Sequence, residues 1–312
     1  MVTATALELG VFDALSDGPA GTEELAEGLG LSPRGVDVVL GALEEMGMVR
    51  IEPGGGHRLT GTARALLVDT DTPDYQGDYL EFWLGNLREW TSSLPDAVRE
   101  GAPVEEAPGV EEVTDREAME SFQAAMAAKN PELVASVVDA VLERAPSTGR
   151  MLDVGGGPGT FARAFVERGW RGVLLDRPAV VEHVAEAYGL RKVEGLELQG
   201  GDFLESLPDG PFEVVLLANV THLWDPGTNR RLLARAAGSL APGGVLAVMD
   251  FVRGVEPFAA LFAVTMLLNT GRGDTYDLRR YEAWMEEAGL RKVRCETVPE
   301  DRQVVTAVRP EG

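Results

Sequence analysis

Two hydrophobic rhythms divide this chain. In its second half, short apolar runs at 151–155, 172–176, 195–199, 212–218 and 244–251 alternate with amphipathic stretches at 159–168, 178–188 and 228–240. Runs of that length read as strands buried on both faces, and the stretches between them carry apolar residues at helical spacing. A further helix at 278–288 precedes two strand-like segments, 291–298 and 303–309, that predict an antiparallel hairpin. Regular alternation of strand and helix predicts a doubly wound α/β sheet.

The first 70 residues follow the other rhythm. Leu7 to Leu15 and Thr22 to Leu29 have helical apolar spacing, with Thr22-Glu-Glu as a capped start. Ser32-Pro33 opens a third helix running to Met46, with Val36, Val39, Leu40 and Leu43 inward. Val49-Arg-Ile51, a Gly54-Gly-Gly56 turn and His57-Arg-Leu-Thr60 then predict a two-stranded wing. Together these make a winged-helix layout, a shape that often reads DNA.

Between them, 71–145 reads as a helical connector, broken at Pro95 and by an acidic, proline-containing loop from Gly101 to Glu112. It holds Phe82, Trp83, Trp90, Met119, Phe122 and Met126. Such residues either form a helical core or dimer seam, or wall an apolar pocket. The predicted division is therefore 1–70, 71–145 and 146–312.

Charge changes the reading of the winged helix. Residues 1–69 hold eleven acids against four bases, and the segment Arg34 to Met46 carries one base and three acids. The whole chain of 312 residues has a net charge of −23. Affinity for nucleic acid comes from clustered Lys and Arg, so a neutral or cationic small molecule suits this chain better as a partner. The single Cys295 excludes an internal disulfide framework and a cysteine metal site. Apolar stretches fall short of a membrane span, and Met1-Val-Thr-Ala-Thr lacks the basic flank of a signal peptide, so a soluble cytoplasmic protein is expected.

The most specific chemistry lies in Met151-Leu-Asp-Val-Gly-Gly-Gly-Pro-Gly-Thr160. A glycine-rich turn between strand and helix lets the backbone approach a nucleoside more closely than any Cβ allows. Its G-x-G-x-G spacing differs from the G-x-G-x-x-G of dinucleotide folds and points to S-adenosylmethionine (SAM), which has no pyrophosphate to seat; a nicotinamide cofactor fits poorly. Asp176 ends the next strand, where a carboxylate would hold the ribose hydroxyls. Gly201-Asp202-Phe203 follows the third, with an acid for the adenine amino group and an aromatic for its face.

These segments make the chain similar to the SAM-dependent O-methyltransferases of the plant caffeic-acid and bacterial antibiotic-tailoring type. The resemblance runs from Leu9-Gly-Val-Phe-Asp-Ala-Leu15 through Leu152-Asp-Val-Gly-Gly-Gly157 to Leu240-Ala-Pro-Gly-Gly-Val245 and Ala288-Gly289. It implies a class I methyltransferase sheet ordered 3-2-1-4-5-7-6 with the last strand antiparallel, and an N-terminal winged-helix domain that forms a homodimer and leaves DNA alone. It also implies SAM as cofactor, S-adenosylhomocysteine (SAH) as product, and no metal. The chain begins close to the helix at Leu7, so a shorter N-terminal segment than is usual in the family is expected to alter the dimer seam.

The family's catalytic motif, a His followed by Asp-Trp, matches Asn219-Val-Thr-His222-Leu-Trp224-Asp225. His57 and His183, in the wing and on a surface helix, are poorly placed for chemistry. His222 lies just past the fourth strand, at the switch point where ligands bind. An imidazole there, with a reference pKa of ~6.5, is a natural general base for in-line methyl transfer to a hydroxyl. Asp250 matches the family's first orienting acid and Asp274 is the nearest candidate for the second. Leu223 replaces the usual Asp, Ala218 stands where plant members carry a Lys, and Asp replaces Glu at both orienting positions. The shorter acids predict a weak acid–base pair, with catalysis resting mainly on proximity.

The cofactor-binding candidates are Asp153, Gly155, Gly157, Asp176, Asp202, Phe203 and Asn219; the pocket candidates are Trp83, Phe122, Met126, Phe262 and Met266. The favoured reading is methyl transfer to a hydroxyl of a small aromatic or polyketide-like acceptor. N- or C-methylation on the same fold is the alternative, and a SAM-sensing winged-helix regulator is the alternative from another class.

Overall fold

A computed structural model describes residues 2–70, 72, 74–104, 116–128 and 130–311. The chain forms two compact units, Met1–Glu89 with Ala124–Asn130, and Trp90–Gln123 with Pro131–Gly312. Contacts thus divide the segment 71–145 between the two units, whereas the sequence suggests a separate connector.

The first unit packs helices Thr22–Leu29 and Pro33–Glu45 with a hairpin of β1 (Val49–Ile51) and β2 (His57–Leu59). Val36, Leu40 and Leu43 face its core together with Phe12, Leu15 and Leu25, while Val39 is only half-buried. Two details differ from expectation. The single helix predicted over Leu7–Leu15 is two, Val2–Glu8 and Val11–Ala14, because Gly10 between them sits at φ 71, outside helical backbone. The second helix starts on Thr22 as expected, but its cap is Gly21, whose amide faces Glu24 Oε2 at 3.4 Å.

Helices Gly77–Gly85, Leu87–Glu100, Arg116–Ala127 and Pro131–Leu142 follow. Pro95 does not break its helix. The φ that proline imposes is helical, so the ring removes one hydrogen bond and leaves the helix continuous. Most of the predicted acidic loop, 105–112, lies outside the described residues.

Among the described residues the second unit holds seven strands: β3 (Arg150–Val154), β4 (Arg171–Asp176), β5 (Leu196–Gly200), β6 (Phe212–Ala218), β7 (Leu240–Asp250), β8 (Arg291–Val298) and β9 (Arg302–Val308). They lie in the order β5-β4-β3-β6-β7-β9-β8, with β9 antiparallel to both neighbours. This is the class I methyltransferase arrangement the resemblance implies. Alternate residues feed two cores. Met151, Val214, Leu216, Val245 and Ala247 meet Val137, Phe161, Phe165 and Val184 on one face. Leu152, Val215, Leu217, Leu246 and Val248 meet Leu232, Leu233, Tyr281 and Trp284 on the other. Burial on both faces explains why these strands read as apolar runs without alternation.

One helix in this unit, Phe258–Asn269, has no counterpart in the sequence reading. Its run Phe-Ala-Ala-Leu-Phe-Ala-Val-Thr-Met-Leu-Leu is apolar all round, so no polar face marks a helical period. Among the described residues, no helix is long and apolar enough to cross a membrane.

Candidate active site

β3 connects onward to β4 on one side, and its other neighbour β6 leads away to β7. Loops leaving β3 and β6 therefore diverge, and the crevice between them is the switch point of the sheet. The glycine turn and His222 occupy these two loops.

The turn after β3 is held by the amides of Gly155 and Gly156, which donate to Leu175 O at 2.8 and 3.3 Å. Gly155 has φ +69, and a Cβ there would lie 2.9 Å from Val220 Cγ2 and 3.5 Å from Phe203 Cε1. Gly157, at φ +48, donates its amide to Asp176 Oδ2 at 2.9 Å. Arg177 N donates to the other oxygen of Asp176 at 2.7 Å. Burial pushes the Asp176 carboxyl above its ordinary pKa, and these two amides offset part of that. A carboxylate has about four acceptor positions, so two stay open for further donors.

Phe203 is buried edge-on against Trp224, with ring centroids 6.3 Å apart. Asp202 is exposed and accepts Leu204 N at 2.7 Å, an Asx turn that fixes the loop after β5. Two other cofactor candidates are engaged within the fold. Asp153 is buried and accepts Ala162 N at 3.1 Å, tying β3 to the helix Thr160–Glu167. Asn219, at φ 58, presents its side-chain oxygen to Arg302, whose guanidinium lies 4.1 Å from the Phe251 ring centroid.

The loop after β6 turns into a short 3-10 helix, Thr221–Leu223, which carries His222 inward. Its Nδ1 sits 2.8 Å from Asp250 Oδ1, at the end of β7. Both side chains are buried. The expected weakness of this pair is not observed. Ala218 and Met249 are direct neighbours across β6 and β7, so even the short aspartate meets the ring.

Asp250 has three further donors: Thr221 Oγ1 at 2.6 Å, the His222 amide at 3.1 Å and the Phe251 amide at 2.8 Å. Burial alone would raise its pKa. The His222 ring, Thr221 and the Phe251 amide together outweigh that and hold it below its ordinary value. An ionised Asp250 accepts a proton-bearing Nδ1, which leaves the Nε2 lone pair available. Among the described residues Nε2 has no hydrogen-bond partner.

Asp274 does not reach the imidazole. Its carboxylate pairs with Arg253 and accepts Thr275 N at 2.8 Å. What touches His222 is the Asp274 amide, which donates to the His222 carbonyl at 3.0 Å. The second support for the dyad comes from residues the sequence reading passes over. Thr221 Oγ1 shares a hydrogen bond of 2.7 Å with the hydroxyl of Tyr281, which is fully buried on the helix Leu278–Glu287. A threonine directly before the histidine was the one visible hint.

Phe262 meets the His222 ring edge-on at 5.0 Å and Phe251 at 4.6 Å. Met266, one helical turn on, is buried. Phe122 belongs to this second unit, whereas Trp83 and Met126 belong to the first, where Trp83 packs on Tyr79 and Phe82. Among the described residues, no cluster of His, Cys, Asp and Glu could hold a metal ion.

Residues 90–291 match the O-methyltransferase domain family, and residues 1–69 match the O-methyltransferase dimerisation domain. The chain is 31% identical to the mitomycin biosynthesis 6-O-methyltransferase of Streptomyces lavendulae, over 93% of this chain and 84% of that one. It is 28% identical to the 3-hydroxy-5-methyl-1-naphthoate 3-O-methyltransferase of Streptomyces sahachiroi, over 93% and 85%. The solved structure of human N-acetylserotonin methyltransferase in complex with SAM superposes with a TM-score of 0.85, at 25% identity, covering 99% of this chain and 93% of that one. The two family matches and the mitomycin relative fall together: the chain belongs to the SAM-dependent O-methyltransferases that carry a dimerisation domain.

Proposed function

We propose that the protein methylates a hydroxyl of a small aromatic or polyketide-like molecule, with His222 as the general base. The single observation behind this is the buried dyad: Nδ1 is held 2.8 Å from Asp250, and Nε2 has no hydrogen-bond partner among the described residues. Bound SAM supplies an electrophilic methyl group on its sulfonium. The chain's share is to align the acceptor oxygen and take its proton as the bond forms. Nε2 takes that proton, and Asp250 steadies the imidazolium that results. Phe262 forms an apolar wall beside the base, and Met266 follows one turn on along the same helix.

Along the cofactor, Gly155 and Gly157 allow close approach, Asp176 holds the ribose hydroxyls, and Asp202 with Phe203 takes the adenine. Asp153 and Asn219 act through the fold, holding the turn and the loop in place. Homodimer formation through residues 1–69 and action in the cytoplasm complete the reading, supported by the dimerisation match and by the lone Cys295.

The test is transfer from methyl-labelled SAM to a panel of hydroxylated aromatics, with the product analysed by NMR. Label on an oxygen-bound methyl is expected. Label on nitrogen or carbon, or no transfer to any hydroxyl, would overturn the proposal.

Asp176→Ala is expected to weaken SAH binding by roughly 1–3 kcal/mol, measured by calorimetry, because buried hydroxyls lose their acceptor. The ribose hydroxyls favour the ionised carboxylate, so wild-type affinity should fall as the pH drops through the raised Asp176 pKa. The variant should lack this pH dependence. Stability carries the opposite sign. The folded protein binds this proton more tightly than the unfolded chain, so Asp176 contributes most in acid and loses that contribution as the pH rises through the folded pKa.

A further inference from the structure

Gln123 is an oddity in the second unit. It lies on the helix Arg116–Ala127, only 4% of its surface is exposed, and among the described residues its Oε1 has no hydrogen-bond partner. Buried amide oxygens are nearly always paired, since leaving one unpaired forfeits its hydration with nothing in return. An orphan of this kind in a folded protein calls for a partner from outside the chain.

Its position says where that partner would sit. A Cβ built on Gly157 would lie 3.0 Å from Gln123 Oε1. The amide oxygen therefore looks across a gap at the middle glycine of the turn, and only glycine keeps that gap open. Gly157 also faces Asp176 through its own amide, so the gap adjoins the ribose position.

We infer that the Gln123 side-chain carbonyl accepts a hydrogen bond from the α-ammonium of the SAM methionyl group. This rests on the assignment of Asp176 to the ribose and of Asp202 and Phe203 to the adenine. The donors of SAM are the adenine amino group, two ribose hydroxyls and the ammonium. With the first three assigned, the ammonium is the donor that remains, and a hydrogen bond to a charged donor is the stronger kind. Gln123 is thus a binding residue for the amino-acid end of the cofactor. It has no proposed part in moving the proton.

The experiment compares two ligands on three proteins. SAH carries the ammonium, whereas 5′-methylthioadenosine keeps the adenine and ribose and lacks the whole amino-acid end. Calorimetry is run on wild type, Gln123→Met and Gln123→Glu, with thermal melts of each free protein. Gln123→Met is expected to weaken SAH roughly 5- to 150-fold and to leave methylthioadenosine within about twofold of wild type. Because it removes an unpaired buried polar atom, it should also raise the melting temperature of the free protein. Gln123→Glu, which can still accept from the ammonium, should keep SAH affinity within a few-fold of wild type.

Equal losses on both ligands would assign the amide to the ribose and overturn the inference. So would unchanged SAH affinity in Gln123→Met, or a free Gln123→Met protein less stable than wild type. A weaker SAH complex for Gln123→Glu than for Gln123→Met would put the ligand carboxylate there instead, with the same consequence. Wild type that binds neither ligand would sink the underlying cofactor assignment, a separate failure visible before any variant is made.

Discussion

Replacing His222 by alanine is expected to lower kcat by about 10²–10⁴-fold while leaving SAH affinity nearly unchanged. That range is the usual contribution of a positioned acid–base group. SAH should be indifferent because the ring is fixed by Asp250 on one side and by Phe262 on the other, with no part in the glycine turn. The acidity of the acceptor supplies an internal control. A phenol already ionised at the assay pH needs no base and should react almost as fast with the variant as with wild type. Steady-state rates across phenols of graded pKa therefore give the diagnostic plot. A uniform loss across the series would reduce His222 to a pocket wall, with methyl transfer driven by proximity.

Asp250→Asn should be damaging for a reason specific to this site. Each carboxylate oxygen of Asp250 receives one backbone amide, His222 N on Oδ2 and Phe251 N on Oδ1. Backbone amides cannot turn round. Whichever way an asparagine is flipped, its NH₂ faces a donor, so a cost of about 1–3 kcal/mol in stability is expected. If the NH₂ also faces Nδ1, it enforces the other imidazole tautomer and removes the lone pair from Nε2, with a loss of kcat approaching that of His222→Ala.

Chemical denaturation against pH checks the stability part. The Asp250 pKa is lowered in the folded state, so its contribution is present above the unfolded value of ~3.9 and is lost as the pH falls through the folded pKa. Asp250→Asn should be less stable near neutrality and show a shallower acid limb. An acid limb identical to wild type would mean that the Asp250 charge does not stabilise the fold.

The parts of this protein most legible in its sequence are those built from local patterns. The core strands β3, β4, β6 and β7 stand out because burial on both faces demands apolar runs, and His222 and Asp250 stand out because each follows or ends one of them. Asp250 also shows the limit of reading side-chain length alone. The pairing of Ala218 with Met249 decides how far the carboxylate must reach, and register is a long-range property. Tyr281 is invisible for the same reason: its hydroxyl acts on Thr221, sixty residues away, only once the helix Leu278–Glu287 packs on the sheet. Asp274 was misplaced because Arg253, a nearer and stronger partner for its carboxylate, has no fixed sequence distance from it. Gln123 looks like any polar residue on an amphipathic helix until its burial is known.

The strand order has a consequence for how the protein is made. β9 follows β8 in the chain yet lies inside the sheet, between β7 and β8, with Val304, Val305 and Ala307 fully buried. During synthesis β7 emerges before β9, and until β9 arrives its outer edge is a row of unpaired amides and carbonyls at the strand that carries Asp250. Val252 N waits for the same strand, because it donates to the Gln303 side chain at 2.7 Å. The nascent enzyme therefore exposes an adhesive edge late in translation. Chaperone dependence and aggregation should be governed by residues 302–308, whose loss removes an interior strand, whereas substitutions confined to β8 disturb only a border.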